Sequence, residues 1–104
     1  MANFYTDTPQ FRHYLHHPLM KRIVELRERN YTESETYDHA PIDFEDAMDS
    51  YDKVLEVVGE ICGEVIDPNA EEVDHTGPTV SDGRVTYATN TQENRDVLIK
   101  AELM

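Results

Sequence analysis

The chain has 104 residues, with 22 acidic side chains against 9 basic ones and a formal net charge of −13, a balance that repels phosphate backbones and argues against a nucleic acid partner. That length fits one small domain or part of a larger one, and 38% hydrophobic residues build only a thin core. No apolar run reaches the roughly 18 residues of a membrane span, the start Met1-Ala2-Asn3-Phe4-Tyr5-Thr6-Asp7 lacks the charged and apolar regions of a secretory signal, and there is no Gly-rich phosphate loop, CxxC, HExxH or GxSxG.

In chain order, the pattern predicts mostly helices. Thr8-Pro9-Gln10 reads as cap, first helical residue and helix, opening a short element over about 9–16. Pro18 restarts a helix over about 18–29, because its missing N–H is unneeded in a first turn. Leu19, Ile23 and Leu26 recur there at i, i+4 and i+7, with Met20 and Val24 beside them, forming one apolar stripe. Asn30 ends the element, and residues 31–41 read as a polar connection closing at Pro41.

The strongest periodicity lies in the centre. Phe44, Ala47, Met48, Tyr51, Val54, Leu55, Val58, Ile61, Cys62, Val65 and Ile66 follow a period near 3.6. They predict one long amphipathic helix over about 43–67, capped by Asp43, with Glu45 and Asp46 at the positive end of its dipole. Gly59 and Gly63 cost that helix about 1 kcal/mol each, so another element is expected to pack closely on them. Asp67-Pro68 should end or kink it, leaving 69–79 as a polar connection. Ser81-Asp82-Gly83 then predicts a turn, with a short β-hairpin over about 79–88. Asn90 and Glu93 resemble a capping box for a last helix over about 91–101. The expected fold is mainly α, a small helical unit over 1–104.

Charge is segregated along the chain. Residues 1–32 carry a net +2, residues 33–82 a net −15, and residues 83–104 a net of zero. Either a basic N-terminal helix packs beside the acidic central one, or the acidic face meets a basic partner. The single cysteine, Cys62, cannot close an internal disulfide and suits a reducing, cytoplasmic setting. Cys62 falls in the apolar stripe and reads as a small buried hydrophobe; Phe44 and Tyr51 are likewise core candidates.

Candidate chemistry is sparse. His13, His16 and His17 form an HxxHH cluster, in which His13 and His17 have the i, i+4 spacing that holds zinc on a helix, although no carboxylate or thiol completes the set locally and Asp7 approaches only if the chain folds back. The competing reading is a set of packing or capping histidines. His39 and His75 fall in expected loops without visible partners. Glu45, Asp49, Asp52, Glu56, Glu60, Glu64 and Asp67 line one side of the central helix as a solvated acidic face. A di-iron site would need inward carboxylates and an ExxH pair, and this helix has no histidine. No catalytic, cofactor-binding or metal residue is assigned.

Four stretches together resemble the N-terminal end of an acyl-CoA dehydrogenase of the long subgroup with an extended N-terminus. The helix Phe44–Ile66 running into Asp67-Pro68-Asn69-Ala70-Glu71-Glu72-Val73-Asp74 is similar to the family's helix that ends at a proline before an acidic stretch. Gly77 stands near the family's Asp-x-x-Gly. Ser81-Asp82-Gly83-Arg84-Val85 resembles the subgroup's short insertion, and Asp96-Val97-Leu98-Ile99-Lys100-Ala101-Glu102-Leu103-Met104 resembles the helix end of its Ala-Gly-Leu-Met-Gly pattern. Tyr5–Asn30 is similar to the subgroup's extension. The resemblance implies an extension over 1–32 and the start of the helical domain over 43–104. It further implies an enzyme family of several hundred residues whose FAD contacts and catalytic glutamate lie in later domains, so no site residue carries over. The implied partners are those remaining domains, or self-association through the Phe44–Ile66 face. Glu102 replaces the family's glycine, whose left-handed cap would turn the chain onward; a glutamate argues against that turn.

Overall fold

The computed structural model describes residues 2–104. It is 65% helix, with five helices and one two-stranded antiparallel hairpin among the described residues. We number the elements α1 (Pro9–Leu15), α2 (Met20–Arg27), α3 (Phe44–Ile61), α4 (Asp67–Thr76), β1 (Thr79–Ser81), β2 (Arg84–Thr86) and α5 (Thr89–Lys100). The chain gathers into two compact units, Tyr5–Glu56 and Met1–Phe4 with Val57–Met104.

In the unit Tyr5–Glu56, α1 begins on Pro9 as expected, although the Thr8 side chain makes no cap hydrogen bond. The Asp43 carboxylate caps α3, accepting from the Asp46 N–H at 2.8 Å, while the Asp46 carboxylate accepts from the Ile42 N–H at 3.1 Å. Asp43 thus satisfies an orphan donor of the first turn, and Asp46 ties down the residue just before the cap. Val24, Ala47 and Met48 form the buried core, with Leu15, Met20, Tyr31, Phe44 and Tyr51 packed around them.

The α2 stripe divides. Met20 and Val24 turn toward the core, whereas Leu19, Ile23 and Leu26 stay 65%, 53% and 63% exposed. An eight-residue helix can press only one side on so small a core, and Val24, 1% exposed, fixes which side. Residues 31–41 are not a plain connection either. A 3₁₀ stretch spans Arg29–Glu35, and Arg29, Asn30 and Tyr31 all take left-handed backbone, with φ of 50°, 55° and 63°. Such conformations cost non-glycine residues about 1–2 kcal/mol each. The Thr32 hydroxyl donates to the Arg29 carbonyl at 2.8 Å and the Ser34 hydroxyl to the Tyr31 carbonyl at 2.9 Å, bracing the turn.

In the other unit, helix does not stop at Pro68. A π-turn over Cys62–Ile66 leads directly into α4, whose first turn contains Pro68, giving a helical run of 33 residues from Phe44 to Thr76. Pro68 enters a fresh first turn, where its missing N–H leaves no bond broken. The expected connection over 69–79 is therefore helical as far as Thr76, held to α5 by the Asn69 amide donating to the Asn94 side-chain oxygen at 2.9 Å. Gly63 is buried, and a Cβ there would lie 2.4 Å from the Ala2 carbonyl oxygen. Phe4 N–H donates to the Gly59 carbonyl at 3.1 Å. The close-packed element expected at these glycines is the segment Ala2–Phe4.

The hairpin pairs Thr79 with Thr86, Val80 with Val85 and Ser81 with Arg84. Asp82 and Gly83, both at positive φ (52° and 74°), form the two-residue turn that suits the strand twist. Helix α5 begins earlier than the Asn90 and Glu93 pattern suggests: Ala88 is the N-cap, and no side chain caps it. At its other end Glu102 adopts φ 62°, correcting the expectation drawn from its side chain. Leu103 N–H reaches the Leu98 carbonyl and Glu102 N–H the Ile99 carbonyl, both at 3.0 Å, closing a Schellman motif with glutamate in the place glycine usually holds.

Candidate functional site

Two polar clusters, two histidine-lined hollows and two outward apolar sets stand out among the described residues. The first cluster centres on Arg12. Its Nε lies 3.3 Å from Asp52 Oδ1 and its Nη2 3.0 Å from Glu56 Oε1. Asp52 and Glu56 are four apart on α3, one helical turn, and together they clamp a guanidinium from α1. The buried Tyr5 donates its hydroxyl to Asp52 Oδ1 at 2.5 Å, and Arg12 stands 5.1 Å over the Tyr5 ring centroid, within cation–π range. The Tyr5 hydrogen bond, followed by the Arg12 charge, holds the Asp52 carboxyl below its ordinary pKa, against some desolvation. Burial first, then the Asp52 bond, pushes the Tyr5 phenol up. Part of the charge segregation thus has an internal cause, since Arg12 of α1 sits against two carboxylates of α3.

In the second cluster the half-buried Tyr51 donates its hydroxyl to the Glu28 carboxylate. Burial, and then that carboxylate, push Tyr51 to about 12. Tyr31 packs against the same core, yet its buried hydroxyl has no hydrogen-bond partner among the described residues. Burial raises its pKa, with the charges of Glu25, Asp43 and Glu28 acting in the same direction.

The histidine spacing does not survive folding. Helix α1 ends at Leu15 with His16 as its C-cap, so His13 and His17 do not share a helical face. The His17 Nδ1 accepts the Leu19 N–H at 3.1 Å, which commits that nitrogen. His13, His16 and His17 line a hollow of about 600 Å³ with Pro9, Arg12 and Pro18. Among the described residues no three His, Cys, Asp or Glu side chains gather as a metal site. His39 stands 5.6 Å from the Tyr37 ring. His75 lies on α4, not in a loop, and lines a shallow hollow with Pro68, Glu71 and Glu72. Cys62 is a free, half-buried thiol at the start of the π-turn.

Phe44, Ala47, Met48 and Tyr51 from the central apolar face are taken up by the core, whereas Val54 remains exposed. Leu19, Ile23 and Leu26 form a second outward apolar set. Sequence reasoning missed Arg12, Tyr31 and Glu28 as members of clusters; the four-residue interval between Asp52 and Glu56 was the one available signal, pointing to a cation clamp. No described helix is long and apolar enough to cross a membrane. Comparison with protein-family models, with curated proteins and with solved structures finds no match.

Proposed function

We propose that this chain is the N-terminal helical segment of a flavin-dependent acyl-CoA dehydrogenase, with a structural, interface role and no turnover of its own. The observation that carries this reading is its surface. The chain exposes 8178 Å² at a mass of 12.0 kDa. A folded monomer of that mass exposes about 6,000 Å², and two separate folded halves about 7,200 Å² in total. Either way the surface is in excess, and much of it is large apolar side chains. Such surface suits a piece that the rest of a larger protein covers.

The order of elements lends further support. A long acidic helix runs into a proline-led first turn, a hairpin carries Asp82-Gly83-Arg84-Val85, and the closing helix ends in a left-handed cap at Glu102, where the family has glycine. FAD belongs to later domains in this reading. No residue of this chain is assigned to the flavin and no step is routed through it. A cytoplasmic setting accords with the lone thiol. The test is to sequence the source locus past codon 104. An open frame encoding a flavin domain and a catalytic glutamate supports the reading; a stop codon there refutes it.

A second reading, a stand-alone acidic module that associates with itself, is favoured by the exposed Val54 on α3. It expects a dimer in light scattering that Val54→Asp dissociates. A monomeric parent chain rejects it.

A further inference from the structure

We propose that the hollow between the hairpin and α5 binds a small aromatic monocarboxylate, with Arg95 as the partner of its carboxylate. The hollow measures about 460 Å³, within the range of small-ligand sites. Val85 of β2 and Tyr87, just past its end, line it on the hairpin side. Thr89, Thr91, Gln92 and Arg95 line it from α5. All of these residues belong to one compact unit.

The lining selects the ligand's chemistry. Val85 and Tyr87 are 55% and 67% exposed, so a branched apolar side chain and a phenol ring stand ready to cover an apolar, ring-shaped body. Arg95 makes no ion pair among the described residues, whereas Arg12, Arg22, Arg29 and Lys53 each meet a carboxylate. Its place on the helix explains this. The positions three and four away are Thr91, Gln92, Leu98 and Ile99, none of them acidic. The next residue, Asp96, accepts the Gln92 amide at 2.7 Å. The guanidinium therefore keeps its planar fork for an outside oxyanion, and a carboxylate matches that fork with two parallel bonds. The Thr89 and Thr91 hydroxyls make no side-chain hydrogen bond among the described residues and offer further donors. Charge sets the anion. The chain as a whole carries −13, while residues 83–104 sum to zero. A ligand with one negative charge is repelled less than a phosphomonoester with nearly two. These arguments use this chain's own residues and do not rest on the acyl-CoA dehydrogenase reading.

The test titrates the full isotope-labelled chain with 2-naphthoate, 2-naphthamide and 2-naphthyl phosphate, followed by amide NMR shifts. Naphthoate should bind with a dissociation constant of about 1 mM or below, ordinary for a ligand of that size. The shifts should centre on residues 85–95. The neutral amide should bind at least about tenfold more weakly, and the phosphate no more tightly than naphthoate. Arg95→Gln should weaken naphthoate about tenfold or more, leave naphthamide unchanged and leave the melting temperature unchanged. Tyr87→Ala should weaken both. Arg22→Gln, an exposed arginine on α2, should alter neither. No saturation by 10 mM naphthoate, shifts centred elsewhere, equal binding of acid and amide, or indifference to Arg95→Gln overturns the proposal. Tighter binding of the phosphate overturns the assignment to a monocarboxylate.

Discussion

Gly63→Ala separates the helix's own preference from what packs on it. In an isolated helix the change would be favourable by about 1 kcal/mol, because alanine loses less conformational freedom than glycine. Here the new Cβ would sit 2.4 Å from the Ala2 carbonyl oxygen and 2.7 Å from the carbonyl carbon. Ordinary contact needs about 3.5 Å, so Ala2 must retreat by about 1 Å. The obstacle is backbone, which cannot rotate out of the way as a side chain would. Retreat breaks the 3.1 Å bond from Phe4 N–H to the Gly59 carbonyl, which contributes about 1 kcal/mol. The two effects nearly cancel, so the midpoint of urea unfolding should move little. Local order should move a good deal, because an opening easier by about 1 kcal/mol lowers protection of the Phe4 amide about fivefold. Amide hydrogen exchange by NMR, beside urea unfolding, reads both quantities. Unchanged Phe4 protection would refute the close approach of Ala2–Phe4. A global loss above about 3 kcal/mol would show that the helix yields and the segment stays.

Tyr51 should make the protein sensitive to alkali. Its phenol is pushed up to about 12 from an unfolded value near 10, so the folded state keeps a proton that the unfolded state has lost, and urea-unfolding stability should be full below pH 10 and fall between about pH 10 and 12; Tyr51→Phe should flatten that decline, and an unaltered pH profile would count against the burial and Glu28 account. Tyr31→Phe removes a buried hydroxyl without a partner and should be neutral or stabilising by about 1 kcal/mol in thermal unfolding; a loss above that size would mean that the hydroxyl has found one. Asp52, held below its ordinary value by Tyr5 and Arg12, contributes stability present above about pH 4 that is lost as pH falls through its folded pKa; Asp52→Asn should blunt that acid dependence, checked by urea unfolding between pH 5 and 2. Glu102→Gly should raise stability by about 1 kcal/mol, because glycine holds φ 62° without the Cβ penalty; a lower melting temperature would mean that the Glu102 side chain stabilises the cap.

What the sequence made legible was what local chemistry decides alone. Asp43 caps α3 because its carboxylate reaches an N–H three residues on, and Asp82-Gly83 turns the hairpin because both residues tolerate positive φ. What stayed hidden depended on partners distant in sequence. Helix α4 has no apolar period to reveal it; it stands because the π-turn hands Pro68 a new first turn and because Asn69 finds Asn94 on α5. The α2 stripe was visible as a pattern, but which edge of it faced inward was decided by how little core there was to cover. Arg12 looked like one basic residue among several until folding set it between Asp52 and Glu56. The cost of the turn at Arg29–Tyr31 leaves no pattern in a sequence where only Asn30 is a customary left-handed residue.

The size of the exposed stripe bears on both functional readings. Fully burying a leucine or isoleucine stabilises by about 1.5–3 kcal/mol. Leu19, Ile23 and Leu26 are already one-third to one-half covered, so a partner would gain roughly 1 kcal/mol from each, about 3 in all. Bringing two free molecules together costs at least about 4 kcal/mol. The stripe alone is therefore too small to hold a separate partner, and a stable interface here must extend beyond these three side chains. Tethering on the same longer chain does not remove that deficit, because a millimolar effective concentration lies about 4 kcal/mol below the 1 M reference to which the cost refers. The same three side chains are thus too few for an internal interface as well as for a separate helix, and either one must bury more than this stripe.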